Sequence, residues 1–169
     1  VVFRSDTSGT SNNFTAYLNG VAPSIWSKPA NDAFTTAFPG KINAPGNIGR
    51  IVGANGSQGI ATLATKTKYS ITYAEKNWGD AYGLRSVNIS NASGNFVAPD
   101  SGGVSAFLGE AKQDANGIVT DDYLSKEPGV YPLGIVSYML VDSDYKDKTK
   151  AAAVKALATY ILSAACAGK

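Results

Sequence analysis

The first eighteen residues, VVFRSDTSGTSNNFTAYL, constrain this chain more than any other stretch. Val1 to Phe3 reads as a short buried strand, which runs through Arg4 and Asp6 into Ser8, Gly9 and Thr10. Phe14, Tyr17, Leu18 and Val21 then recur at i, i+3, i+4 and i+7, the spacing of one helix face. Ser8 or Thr10 is a natural N-cap for that helix, because its hydroxyl oxygen accepts one of the N–H groups that the first turn leaves without a partner. A strand that delivers the chain straight into a helix terminus calls for a layer of helix on sheet. It also puts the positive end of the helix dipole in the connecting turn.

Such a turn suits an anion. Gly9 has no side chain to obstruct an approaching oxygen. Ser8 and Thr10 add hydroxyls, and Arg4 supplies a forked, charge-assisted donor matched to a tetrahedral oxyanion. Asp6 repels an anion, so its expected task is to pair with Arg4 and fix the direction of the guanidinium. The same residues equally describe a capped helix beside a surface Arg–Asp pair. A third reading makes Asp6 the aspartyl nucleophile of a phosphoryl-transfer enzyme of the haloacid dehalogenase type, as in the DKTGT of ion pumps. Against it stand Ser8, where many such hydrolases have an acid, and Arg4 inside the strand. Asp121 and Asp122 follow no convincing buried strand, as a magnesium site would need. A Walker-type loop is absent, since no G-x-x-x-x-G-K-[ST] occurs.

The remainder of the chain narrows the choice. Its 169 residues fit one domain. At 44% hydrophobic it is too apolar for disorder, and no apolar run reaches bilayer length. The first residues already look like a strand, so no signal peptide is expected at this start. Net charge is +2 with Lys and Arg scattered, which gives no footprint for nucleic acid. The chain has no histidine, so a Ser-His or Cys-His catalytic arrangement within it is impossible. The single cysteine, Cys166, excludes an internal disulfide and a cysteine-cluster zinc site, and no cofactor or metal is expected.

Strand and helix signals alternate. Residues 27–49 read mostly as loop, and IGRIVGA after Gly46-Asn47 as a short helix ended by the Asn55-Gly56 turn. Tyr69 to Tyr73 is a strand candidate with a short helix towards Trp78. Ser86 to Ile89 and Asn95 to Val97 flank a hairpin-like SNASGN. Val104, Phe107, Leu108 and Ala111 have helical spacing. Ile135 to Val141 is the most strand-like run, with Tyr138 and Met139 expected in the core. Asp142 to Lys150 reads as a solvated turn, and Lys148 to Ala165 is the longest helix pattern. This order predicts an α/β domain with a central mixed sheet flanked by helices. N-x-S/T triplets at Asn13, Asn55, Asn88 and Asn91 are read as chance in a chain rich in these residues.

RSDTSGTSNNFTAYL closely resembles the signature of periplasmic phosphate-binding proteins, the solute receptors of phosphate ABC transporters, whose second lobe carries R-x-D-x-S-G-T leading into a helix. Arg4, Asp6, Ser8, Gly9 and Thr10 match, and Thr7 stands where many members have glycine. FPGKINAPGNIGRIVG, YSITYAEKNWGDAYGL, SVNISNASGNFVAPD and the stretch from EPGVYPLGIVSYMLV onward resemble later segments of that family, in the same order. The resemblance implies that residues 1–169 form one lobe of a periplasmic-binding-protein type II fold, the second, with the first lobe absent from this chain. It implies a half-site for inorganic phosphate at Arg4, Ser8, Gly9 and Thr10, with Asp6 orienting Arg4, and no catalysis. It further implies an extracytoplasmic location, in the periplasm or at the cell surface as a lipoprotein or wall-associated protein. The partners implied are the other lobe and, for the full-length receptor, an ABC permease; nucleic acid and direct membrane insertion are not. An alternative is the same lobe within a bacterial surface protein, in a structural or adhesive role. Tight binding in a two-lobe receptor depends on closure around a desolvated anion. One half-site is therefore expected to bind no tighter than millimolar, about −4 kcal/mol.

Overall fold

A computed structural model describes residues 1–163 and residue 166. The chain divides into two compact units, Val1–Ile135 and Val136–Lys169. The first unit opens with β1 (Val2–Arg4) and α1 (Gly9–Val21), and continues with α2 (Phe34–Ala37), β2 (Val52–Ala54), α3 (Gly56–Lys66) and α4 (Lys76–Ala81). It then adds β3 (Ile89–Ser90), β4 (Phe96–Val97), α5 (Ser101–Gly109), β5 (Lys112–Gln113) and β6 (Val119–Thr120). The second unit contains α6 (Lys148–Ile161).

The α/β class holds, with parallel and antiparallel ladders divided, among the described residues, into three two-stranded sheets. β1 pairs in parallel with β2, Val2 opposite Val52 and Arg4 opposite Ala54. Thr72 bridges Val2 in parallel as well, and Val2 N–H donates to the Ile71 carbonyl at 2.8 Å. β1 is therefore the shared strand of this layer, and the YSITY stretch contributes a single bridge to it.

Successive side chains of a strand point to opposite faces, and β1 feeds two cores. Val2 packs with Ile60 and Ala64 of α3, covered by Val52, Ala54 and Leu63. Phe3 packs with Phe34 and Tyr73, covered by Phe14, Trp26 and Phe38. Phe3 stacks on Phe34 at 4.8 Å between ring centroids, and Tyr73 on Phe14 at 4.4 Å. By the same alternation Arg4 lies on the Val2 face, towards α3. In α1 the fully buried positions are Ser11 and Thr15; Phe14, Tyr17 and Leu18 are only half-buried. The Ser11 hydroxyl shares a 2.7 Å hydrogen bond with the Tyr73 hydroxyl.

IGRIVGA does not form a helix: it carries β2, and Asn55-Gly56 begins α3 instead of ending a turn of helix. The β-branched Val52, with Gly53 and Ala54, gains a paired strand beside β1, which outweighs a weak local helix signal. Ile135 to Val141 forms no named strand. Apolar, β-branched composition supplies propensity, but a strand exists only where a second strand pairs with it. Tyr138 and Met139 are accordingly exposed, at 47% and 48%, contrary to their expected place in the core. The hairpin around SNASGN is present as β3 and β4. Asp147 caps α6 through bonds from Thr149 N and Lys150 N, so the charged run is the turn before a helix. The expected end of that helix, Ala164 to Ala165, lies outside the described residues.

Candidate functional site

Ser8 caps α1: its side chain accepts from Thr10 N at 3.1 Å. Gly9 is the first helical residue, so its N–H has no intrahelical acceptor. A Cβ added at Gly9 would meet nothing within 4 Å. The glycine is thus not demanded by the protein's own packing, and the space over it is open to a ligand.

Arg4 is held from two sides and is only 12% exposed. Its Nε donates to Asp6 Oδ1 at 2.9 Å and its Nη2 to Asp6 Oδ2 at 2.5 Å, a bidentate pair. Its Nη1 donates to Ser57 Oγ in the first turn of α3 at 2.9 Å. Asp6 Oδ1 also accepts from Gly56 N at 2.9 Å, which ties β1 to the start of α3. Gly56 itself has φ +69°, a conformation that favours glycine. The hydrogen-bonded Arg4 guanidinium is the main cause that holds the Asp6 carboxyl well below the usual carboxylate range; burial opposes it and Gly56 N–H assists. The pairing with Asp6 correspondingly raises Arg4.

One residue of the site was not singled out from the sequence. Glu75, just before α4, accepts from Thr10 Oγ1 at 2.7 Å through Oε1 and from Ser57 Oγ at 2.7 Å through Oε2. Burial opposes its ionisation, but the bonds from Ser57 and Thr10 and the charge of Arg4 hold its carboxyl below the ordinary range. A continuous network therefore runs from Thr10 through Glu75, Ser57 and Arg4 to Asp6 and the start of α3. It joins Arg4, Asp6 and Thr10 of the opening motif; Ser8 is attached through its cap to Thr10 N, and Gly9 stands between Ser8 and Thr10 as the first helical residue. The signal that could have found Glu75 is its position two residues after the Tyr73 that packs against β1, in YSITYAEK.

Asp6 and Glu75 are both depressed in the folded state, which fixes a sign. Their stabilisation is fully present above the ordinary carboxylate pKa of about 4 and is lost as pH falls through their lowered folded values. Urea unfolding in steps below about pH 4 should show stability falling with acid, and Asp6→Asn should flatten that slope. A slope unchanged by Asp6→Asn would show that the Arg4 pair contributes nothing to the acid limb.

Among the described residues no group of three or more His, Cys, Asp or Glu side chains is placed to hold a metal ion. No helix there is long and apolar enough to cross a membrane.

A family model described as a PBP superfamily domain matches residues 1–165. The phosphate-binding protein PstS 2 of Mycobacterium tuberculosis is 36% identical over 162 residues, covering 92% of this chain and 40% of that protein. The phosphate-binding protein PstS 3 of Mycobacterium tuberculosis is 33% identical over 174 residues, covering 99% of this chain and 44% of the relative. The phosphate-binding protein PstS of Methanocaldococcus jannaschii is 29% identical over 174 residues, covering 96% and 43%. The chain thus spans less than half the length of these relatives.

Proposed function

We propose, for a chain that belongs to the PBP superfamily, that it is the second lobe of an extracytoplasmic phosphate receptor and carries one half of the anion site. The observation that carries this reading is the fixed Arg4 beside an open helix start. Asp6 and Ser57 engage all three guanidinium nitrogens, and the network through Glu75 reaches the first turn of α1, where Gly9 leaves room for an oxygen. Arg4, the Gly9 and Thr10 N–H groups, and the Ser8 hydroxyl are the ligand-facing groups; Asp6 orients Arg4. An incoming oxyanion replaces Ser8 Oγ as acceptor for Thr10 N–H, which keeps that donor paired in both states.

The names of the relatives supply the ligand class, phosphate. A second lobe and a membrane permease are the partners this reading requires. Asp6 is better suited to orienting Arg4 than to nucleophilic attack, because both of its oxygens already accept charge-assisted hydrogen bonds.

The test is a calorimetric titration with phosphate of this chain and of Gly9→Ala. Wild type is expected to bind saturably at about millimolar Kd. Gly9→Ala should fold as well as wild type, since its Cβ meets no protein atom within 4 Å, and should bind phosphate about tenfold more weakly or worse. Equal binding by the two proteins would mean that the anion does not approach over Gly9.

A further inference from the structure

The turn after α3 holds a strained backbone position. Among the described residues only Tyr69, outside the glycines, has a positive φ, +59°. A bulky side chain crowds the backbone in that conformation, which glycine and asparagine adopt at less cost. The turn is pinned on both sides. Ser70 N–H donates to the Thr67 carbonyl at 3.2 Å, and Ser70 Oγ to the Ala64 carbonyl of α3 at 3.0 Å. The Ile71 carbonyl then accepts from Val2 N at 2.8 Å. Strain of this kind persists only where the surrounding structure imposes it, and it gathers at functional places. Tyr69 gains no burial in return, for it is 93% exposed.

Its neighbours are basic and apolar. Lys68 Nζ lies 5.0 Å from the centroid of the Tyr69 ring. Lys66, Lys68 and Arg50 are exposed, as is Ile71. Between Asp32 and Glu75 the chain has Lys41, Arg50, Lys66 and Lys68 and no acid. β2 and Thr72 both pair in parallel with β1. The residues that precede them, Arg50 and Ile71, therefore gather at the end of the layer where β1 starts. Arg4 and the start of α1 stand at the other end.

We propose that the turn around Tyr69 is a peripheral contact for an anionic lipid surface, with the Tyr69 ring and Ile71 in the headgroup layer and Lys66 and Lys68 paired with lipid phosphates. Tyrosine suits such an interface because its ring is apolar and its hydroxyl stays wet. Lysine stems lie along apolar surface while the ammonium groups reach the charged headgroups. A projecting turn tip fits a deformable interface, whereas a protein partner would need a groove shaped to receive it. The contact stays at the headgroups, and the phosphate half-site at the opposite end of β1 is left free.

The experiment is co-sedimentation of this chain, at low salt, with vesicles of phosphatidylglycerol and phosphatidylcholine in equal parts. Wild type should sediment with these vesicles and not with phosphatidylcholine alone, and about 0.5 M salt should release it. Lys66→Gln with Lys68→Gln should weaken binding about 25-fold, about fivefold for each charge. Tyr69→Asn should be at least as stable to heat as wild type, because asparagine tolerates the positive φ, and should bind the vesicles about fivefold more weakly. Wild type that stays in solution with the anionic vesicles, or Tyr69→Asn that binds them as wild type does, overturns the proposal. So does a Tyr69→Asn protein less stable than wild type, since the ring would then serve the fold. Polyglutamate in place of vesicles probes the other class of anionic partner. Binding to it as tight as to the vesicles, and lost in Tyr69→Asn, would assign the surface to an acidic protein and overturn the lipid reading.

Discussion

Arg4→Ala should lose phosphate binding by 10-fold to 100-fold, the loss expected for removing a charge-assisted hydrogen bond of about 1.5–3 kcal/mol. From a millimolar start that places the variant beyond measurement. The substitution also strips Asp6 of its bidentate partner and Ser57 of a donor. Asp6 then keeps the Gly56 N–H bond, and its carboxyl should move back up towards the ordinary range. Arg4→Lys should not rescue binding. The wild-type guanidinium reaches Asp6 through Nε and Nη2 and Ser57 through Nη1, a fan that one ammonium cannot reproduce. Titration of both variants with phosphate, after confirming a folded amide spectrum, checks this. Wild-type affinity in Arg4→Lys would mean that charge alone matters and the fork does not.

The largest effect on stability is expected away from the site, at Asn91. Its amide is 6% exposed and organises the region around the β3–β4 hairpin. Nδ2 donates to the carbonyls of Glu127, Pro128 and Val130, at 3.2, 3.0 and 3.1 Å. Oδ1 accepts from Ser93 N, Ser93 Oγ and Asn95 N, at 3.1, 2.7 and 3.1 Å. Asn91→Ala would orphan groups on both sides at once, and each buried unpaired group costs about 1–3 kcal/mol. Water reaches some of these atoms, so the expected loss is about 3 kcal/mol. Asn91→Asp should fare no better, because a carboxylate cannot donate to three carbonyls. Urea denaturation of both variants measures it; a loss below about 1 kcal/mol would show that the segment around Val130 is held by other contacts. This burial also agrees with reading the N-x-S triplet at Asn91 as chance.

Much of the site was legible because it sits in one continuous stretch. A strand, an Arg, an Asp and a hydroxyl–glycine–hydroxyl turn follow one another, and the physics of a helix start gives each a task. What the sequence did not disclose are the parts that depend on distant segments. Glu75 joins the network only because the chain around Thr72 comes back alongside β1. β2 reads as helix in the sequence because Val52 to Ala54 take their strand form from β1, some fifty residues earlier. α3 carries little helix signal in the sequence because its buried face is Ile60, Ala61 and Ala64, and alanines carry little periodic contrast. Ile135 to Val141 misled in the opposite way. Its side chains have strand propensity, yet pairing is decided by a neighbour and not by composition. In α1 the helix was found from its apolar spacing, while the fully buried positions are Ser11 and Thr15, which hydrogen bonding makes compatible with the core.

The most direct test of the central claim is an amide NMR titration of this chain with phosphate, with Arg4→Ala as the control. The account predicts saturable shifts of the Gly9 and Thr10 amides at millimolar phosphate in wild type and none in the variant. Shifts of equal size in both proteins, or no shift of either amide in wild type, would contradict a phosphate half-site at the start of α1.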